Sequence, residues 1–176
     1  MFGKKLKGQA AMEYLMMYGW AIFLIGIVMA ILLVATSLIG KNEYCIFNPQ
    51  SFSCGSINPI ARAEGNGDVS ISLQMSNNVG QAITIKEALC VRGDQYSDKL
   101  SNAWTDVSQG GGKTLNPGAT INLEDIGCYE ESGSRVKMAP GQTFSGKVFV
   151  RYRYINDFAD VDREAVATIA TQVVPK

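Results

Sequence analysis

The chain has 176 residues, of which 47% are hydrophobic, with 16 basic and 16 acidic side chains and no histidine. That length holds one domain, or one domain plus a distinct segment. The balanced charge offers no basic footprint for nucleic acid. Without histidine a nucleophilic triad lacks its usual general base, which leaves an enzyme as the least supported class.

In chain order the first element is a charge boundary. Lys4, Lys5 and Lys7 precede Gly8, Glu13 follows, and from Tyr14 to Ile39 there are 26 residues without a formal charge. As a helix this run would reach roughly 39 Å at 1.5 Å per residue, and a bilayer core needs only about 30 Å. Leu15, Met16, Ala21, Leu24 and Ala30 are good helix formers and no proline interrupts them, so a helix is predicted from Gln9 to about Ile39. Gly26 and Ala30 are spaced as a small-xxx-small pair, which lets another helix approach closely. Lysine on the N-terminal side of the run keeps that end in the cytoplasm and sends the remainder outside.

Beyond Lys41 the period changes. Val69, Ile71, Leu73 and Met75 alternate with Ser70, Ser72, Gln74 and Ser76, the pattern of a half-buried strand. Further strands are predicted at 81–91, 120–123, 144–155 and 165–174, between the turn signals SNN, GGG, NPG and APG. LNPGAT and MAPGQT each place a Pro-Gly turn at a strand entrance. Several short strands with turns between them predict a β-sandwich. The expected fold is therefore α+β: a hydrophobic helix over 9–40, then an all-β, sandwich-like head over 41–176.

Cys45, Cys54, Cys90 and Cys128 all lie in the part expected outside, where disulfides persist. Three pairings are possible. Cys45 with Cys54 and Cys90 with Cys128 is favoured, because each pair then closes one turn-rich excursion. Reduced, buried cysteine is the alternative. A zinc site fits poorly without histidine or a C-x-x-C spacing, and no metal or cofactor is expected.

Two motifs invite a ligand. GGGKT, 110–114, has the flavour of a phosphate loop, but Val107 stands where its first glycine belongs and Leu115, Asn116 and Pro117 replace the following helix, so a surface loop is expected. NDFADVDRE, 156–164, carries alternating carboxylates but not a calcium-loop template, and its place between two strands predicts a solvated hairpin turn.

Glu13 is the residue that an ordinary anchor has no use for. A carboxylate inside a membrane helix is costly and marks a function by default. If the chain is cut between Gly8 and Gln9, on the cytoplasmic side of the apolar run, Gln9 carries a new α-ammonium and Glu13 becomes residue five, one helical turn away. The carboxylate then suits the helix N-terminus, or neutralises the amine of a neighbouring chain. Two unit charges at 4 Å attract by about 4 kcal/mol at an effective dielectric of 20. Such a cut would leave 13 of the 16 basic side chains against all 16 acidic ones, a balance of −3.

The arrangement KKLKG/QAAMEYLMMYGWAIFLIGIVMAILL resembles the class III signal peptide of archaeal type IV pilins over about residues 4–35. The resemblance implies a leader at 1–8, scissile-bond roles for Gly8 and Gln9 toward a prepilin peptidase, and an assembly role for Glu13. It also implies a structural subunit that waits in the membrane and then polymerises with copies of itself through its helix, with help from pilus assembly machinery. The head would face other cells or surfaces in an extracellular adhesive filament. Two rivals stand beside it: a single-pass anchored surface domain that never polymerises, and an archaellin of a motility filament.

Overall fold

A computed structural model describes residues 6–38, 43–107, 112–157 and 161–176. The chain divides into two compact units, Met1–Gly40 and Lys41–Lys176.

Among the described residues the first unit is one helix, α1 (Leu6–Leu38), of 33 residues. No proline interrupts it, and Gly19 and Gly26 are carried by their strong helix-forming neighbours. It begins three residues earlier than predicted and ends one residue earlier.

Among the described residues the second unit has ten strands, β1 (Tyr44–Asn48), β2 (Phe52–Cys54), β3 (Ile60–Ala63), β4 (Val69–Asn77), β5 (Ile83–Arg92), β6 (Thr105–Asp106), β7 (Lys113–Leu115), β8 (Thr120–Glu130), β9 (Thr143–Tyr154) and β10 (Arg163–Pro175). The expected sandwich does not form. Six of the strands close on themselves into a barrel in the order β3, β4, β8, β5, β9, β10 and back to β3. Closure depends on two parallel pairings, β5 with β8 and β10 with β3, set among antiparallel ones. A closed sheet removes free edges that a sandwich leaves open. The pilin-like arrangement of a helix and a sandwich head is thus replaced by a helix and a barrel.

Alternation explains which side chains fill the barrel. Val69, Ile71, Leu73 and Met75 of β4 face inward with Ile83 and Ile85 of β5, Ile121 and Leu123 of β8, and Phe144, Val148 and Val150 of β9. The strand β3 contributes small residues, Ala61 and Ala63, and β10 mixes Ala165 and Ala167 with Ile169 and Val173. Phe52 packs edge-on against Tyr152 at 4.9 Å and contacts Phe47, adding aromatic bulk to the same core.

β8 runs well past the predicted Leu123. Its alternation is broken at Asp125, where the register against β4 shifts between Ile71 and Leu73 and φ is +51°. Asp tolerates the left-handed region that such a bulge requires. Past the bulge Ile126 and Cys128 again face inward. Gly118 and Gly141 take φ of +72° and +88° in the two Pro-Gly turns, and β8 and β9 begin two residues after each.

The segment expected as a glycine loop is partly a strand. Lys113, Thr114 and Leu115 form β7 against Ile85, Thr84 and Ile83 of β5, while Gly110 and Gly111 lie outside the described residues.

Candidate functional site

α1 is apolar and exposed over most of its length. Between Met12 and Ala35 it offers 24 residues long and apolar enough to cross a membrane, and none of that span is buried within the chain. Large apolar side chains point out on every side of it, Trp20, Phe23, Ile27, Ile31 and Val34 among them. A helix that is hydrophobic all round finds its burial in lipid or against other helices. Tyr14 and Tyr18 stack at 4.2 Å, and Trp20 lies 6.0 Å from Phe23, so the described aromatic rings of the span gather in its N-terminal half. Aromatic side chains of this kind prefer the membrane–water boundary.

The residues singled out from the sequence take their places on this helix. Gly8 and Gln9 lie in its opening turns. Glu13 is exposed and makes no hydrogen bond or ion pair among the described residues. Gly26 has nothing within 4 Å of where a Cβ would stand, and Ala30 is one turn further on, so the small-residue notch is open. Lys4 and Lys5 lie outside the described residues.

The four cysteines form the two favoured bridges, Cys45–Cys54 and Cys90–Cys128. Cys90 and Cys128 sit directly opposite each other across the parallel β5–β8 pair and are fully buried in the barrel. Cys45 and Cys54 tie β1, which borders β10, to β2, which borders β4.

The acidic hairpin between β9 and β10 is occupied by its own arginines. Asp157 pairs with Arg163, while Asp162 pairs with Arg153 at 3.0 Å and Lys86 at 2.9 Å. The Lys86 bond, aided by Arg153, holds the Asp162 carboxyl below the usual carboxylate range. Asp160, the remaining aspartate of that motif, lies outside the described residues.

Sequence reasoning missed a cluster on the outer face of β5, β9 and β10. The excursion after β5 folds back over the barrel and packs Leu100, Tyr96 and Trp104 on Leu89, Val91 and Phe149. Arg151 fastens it: its guanidinium lies 3.7 Å over the Trp104 ring and donates to Glu87 at 3.0 Å and Glu164 at 3.2 Å. Tyr96 donates to the same Glu164 oxygen at 2.6 Å. Burial, reinforced by Glu164, raises the Tyr96 hydroxyl above its ordinary value. Burial alone would lower Arg151, but the bonds to Glu87, Tyr96 and Glu164 outweigh it and keep the guanidinium charged. The only sequence signal was the alternation of apolar and charged residues in FVRYRY, which places Phe149 and Arg151 on the same outward face. This cluster is a clasp that holds the excursion on the barrel.

No family model matches the chain. A search of curated proteins finds no match either.

Proposed function

We propose that the chain is the structural subunit of an archaeal type IV pilus, inserted as a prepilin, cut between Gly8 and Gln9, and polymerised through α1. The observation that carries this reading is the Met12–Ala35 span, apolar on every side and unburied, with the unpaired carboxylate of Glu13 at its start. In lipid the span is satisfied as a monomer. In a filament the same side chains are buried against neighbouring helices, and the notch at Gly26 and Ala30 sets how closely two of them pack. Glu13 selects the axial register by meeting the new α-ammonium of an adjacent subunit, since that attraction fades within a few ångströms.

Copies of itself, the prepilin peptidase and the assembly machinery are the partners, and adhesion through the barrel is the use. The cysteine bridges suit an extracellular location, where disulfides persist. An anchored surface domain that never polymerises is the reading to beat, because one apolar helix serves it equally well.

Glu13→Gln tests the register role. It removes the charge and nearly preserves shape, so cleavage and membrane insertion should continue while filament yield, counted by electron microscopy of sheared material, falls tenfold or more. That loss corresponds to about 1.4 kcal/mol, well within the attraction estimated for the pair. Normal filament numbers in the variant would remove Glu13 from the account.

A further inference from the structure

The outer face of the barrel opposite the clasp carries an open groove. Here β3, β4 and β8 run side by side, and the chain between β2 and β3 stands off from them, leaving an open groove of about 340 Å³. That is at the small end of ligand-binding clefts, about 300–1,000 Å³. Its floor is a ladder of outward side chains, Arg62 on β3, Ser72 and Gln74 on β4, and Asn122 and Glu124 on β8, with Ile57 and Asn58 on the rim.

What these groups already bond decides what they can still bind. Gln74 donates to Asn122 at 3.1 Å, which spends one acceptor and one amide hydrogen and leaves the other donors and acceptors of both amides without a side-chain hydrogen bond among the described residues. Among the described residues Arg62, Asn58 and Glu124 have no side-chain hydrogen bond or ion pair. Every other arginine on the barrel has a carboxylate partner: Arg92 with Glu130, Arg135 with Asp68, Arg151 with Glu87, Arg153 with Asp162 and Arg163 with Asp157. An unpaired guanidinium beside a ladder of amides is therefore the exception on this surface. Gly55 lets the Gln74 side chain lie against the backbone, because a Cβ there would fall 1.9 Å from the Gln74 amide oxygen.

The composition selects a ligand class. One cation facing one carboxylate does not suit a polyphosphate, and a wholly apolar ligand would strand the amides without partners. Paired donors and acceptors along Asn58, Gln74 and Asn122 match vicinal hydroxyls, Ile57 gives a small apolar wall, and the Arg62 fork matches a carboxylate. Arg62 and Glu124 stand two strands apart, about 10 Å at the usual strand spacing, so a sugar carboxylate on Arg62 stays clear of Glu124.

We propose that this groove binds an acidic saccharide, with its carboxylate on Arg62 and its hydroxyls on Gln74, Asn122 and Glu124. The inference rests on the filament reading only in taking the barrel to face the outside, and it gives the adhesive role a chemical target.

The test uses the full chain in detergent micelles, titrated with oligogalacturonate and with a neutral galactose oligomer of equal length. The acidic oligomer should bind at least tenfold more tightly than the neutral one. Arg62→Gln should bring it down to the neutral level, as expected for loss of a charged hydrogen-bonded pair. Asn122→Ala should weaken both oligomers severalfold, and Lys99→Gln, which removes an exposed cation elsewhere, should change nothing. Near-ultraviolet circular dichroism checks that the variants keep the barrel. Absence of binding, equal binding of both oligomers, or a loss in Lys99→Gln as large as in Arg62→Gln would each overturn the assignment. Filaments that assemble normally but bind no acidic oligomer would remove the groove and leave the pilus reading standing.

Discussion

α1 and the barrel are both rich in apolar side chains and bury them in opposite ways. In α1 Ile22, Ile25, Ile27 and Leu32 are all exposed, while in the barrel Ile71, Ile83, Ile85 and Ile126 are wholly enclosed. The barrel finishes its own core and locks it with two bridges, so its stability is a property of one chain. The helix finishes nothing by itself. A helix that is apolar all round finds its burial in lipid or against other helices.

That contrast can be broken in either half. Phe144→Ala empties a site that is 0% exposed and should destabilise the barrel by about 3–5 kcal/mol, read by denaturant unfolding, while membrane insertion stays normal. A parallel loss of insertion would mean that the two halves are not independent.

Next in size are the bridges. Replacing both cysteines of Cys90–Cys128, 38 residues apart, with serine should cost about 4 kcal/mol, against about 2.5 kcal/mol for Cys45–Cys54, 9 residues apart, by the loop-entropy relation. Equal losses from the two pairs would show that strain or packing, not loop length, governs their contribution.

Ile27→Lys probes the other half. It should cost about 2.5–3.5 kcal/mol of insertion free energy and leave barrel unfolding unchanged, as measured by membrane fractionation beside denaturant titration.

The smallest effect is in pH. Burial holds Tyr152 in its neutral form up to about 12, and the same cause raises Tyr96. The unfolded chain loses those protons near 10, so this contribution to stability is fully present below pH 10 and is lost as pH rises from about 10 to about 12. Ultraviolet titration of tyrosinate should show a late-ionising component that disappears on unfolding. The Asp162 carboxylate works in the other direction, stabilising the barrel above its unfolded value and losing that effect as acid protonates it.

Much of this was legible in the residues. The charge gap after Glu13 announced α1, and strict alternation in VSISLQMS announced β4 together with its inward face. Period alone could not reach further. The break at Asp125 hid the second half of β8, and β2 and β3, at three and four residues, are too short to carry a pattern. Barrel closure turns on which strands run parallel, β5 with β8 and β10 with β3, and alternation is the same in either direction. The groove draws on three strands and a connecting segment, so Arg62, Gln74 and Asn122 have no common sequence signature. The clasp on Arg151 was hidden for the same reason, because Glu87, Trp104 and Glu164 come to it from three separate stretches.

The most direct test of a subunit that is cut before its helix and buried among its copies is the N-terminal sequence and intact mass of the chain in material sheared from cells and pelleted at high speed. The account predicts a chain that starts at Gln9, with its mass lower by four hydrogens for the two bridges. A chain that starts at Met1 and is found only in the membrane fraction would contradict it and leave an anchored surface domain in its place.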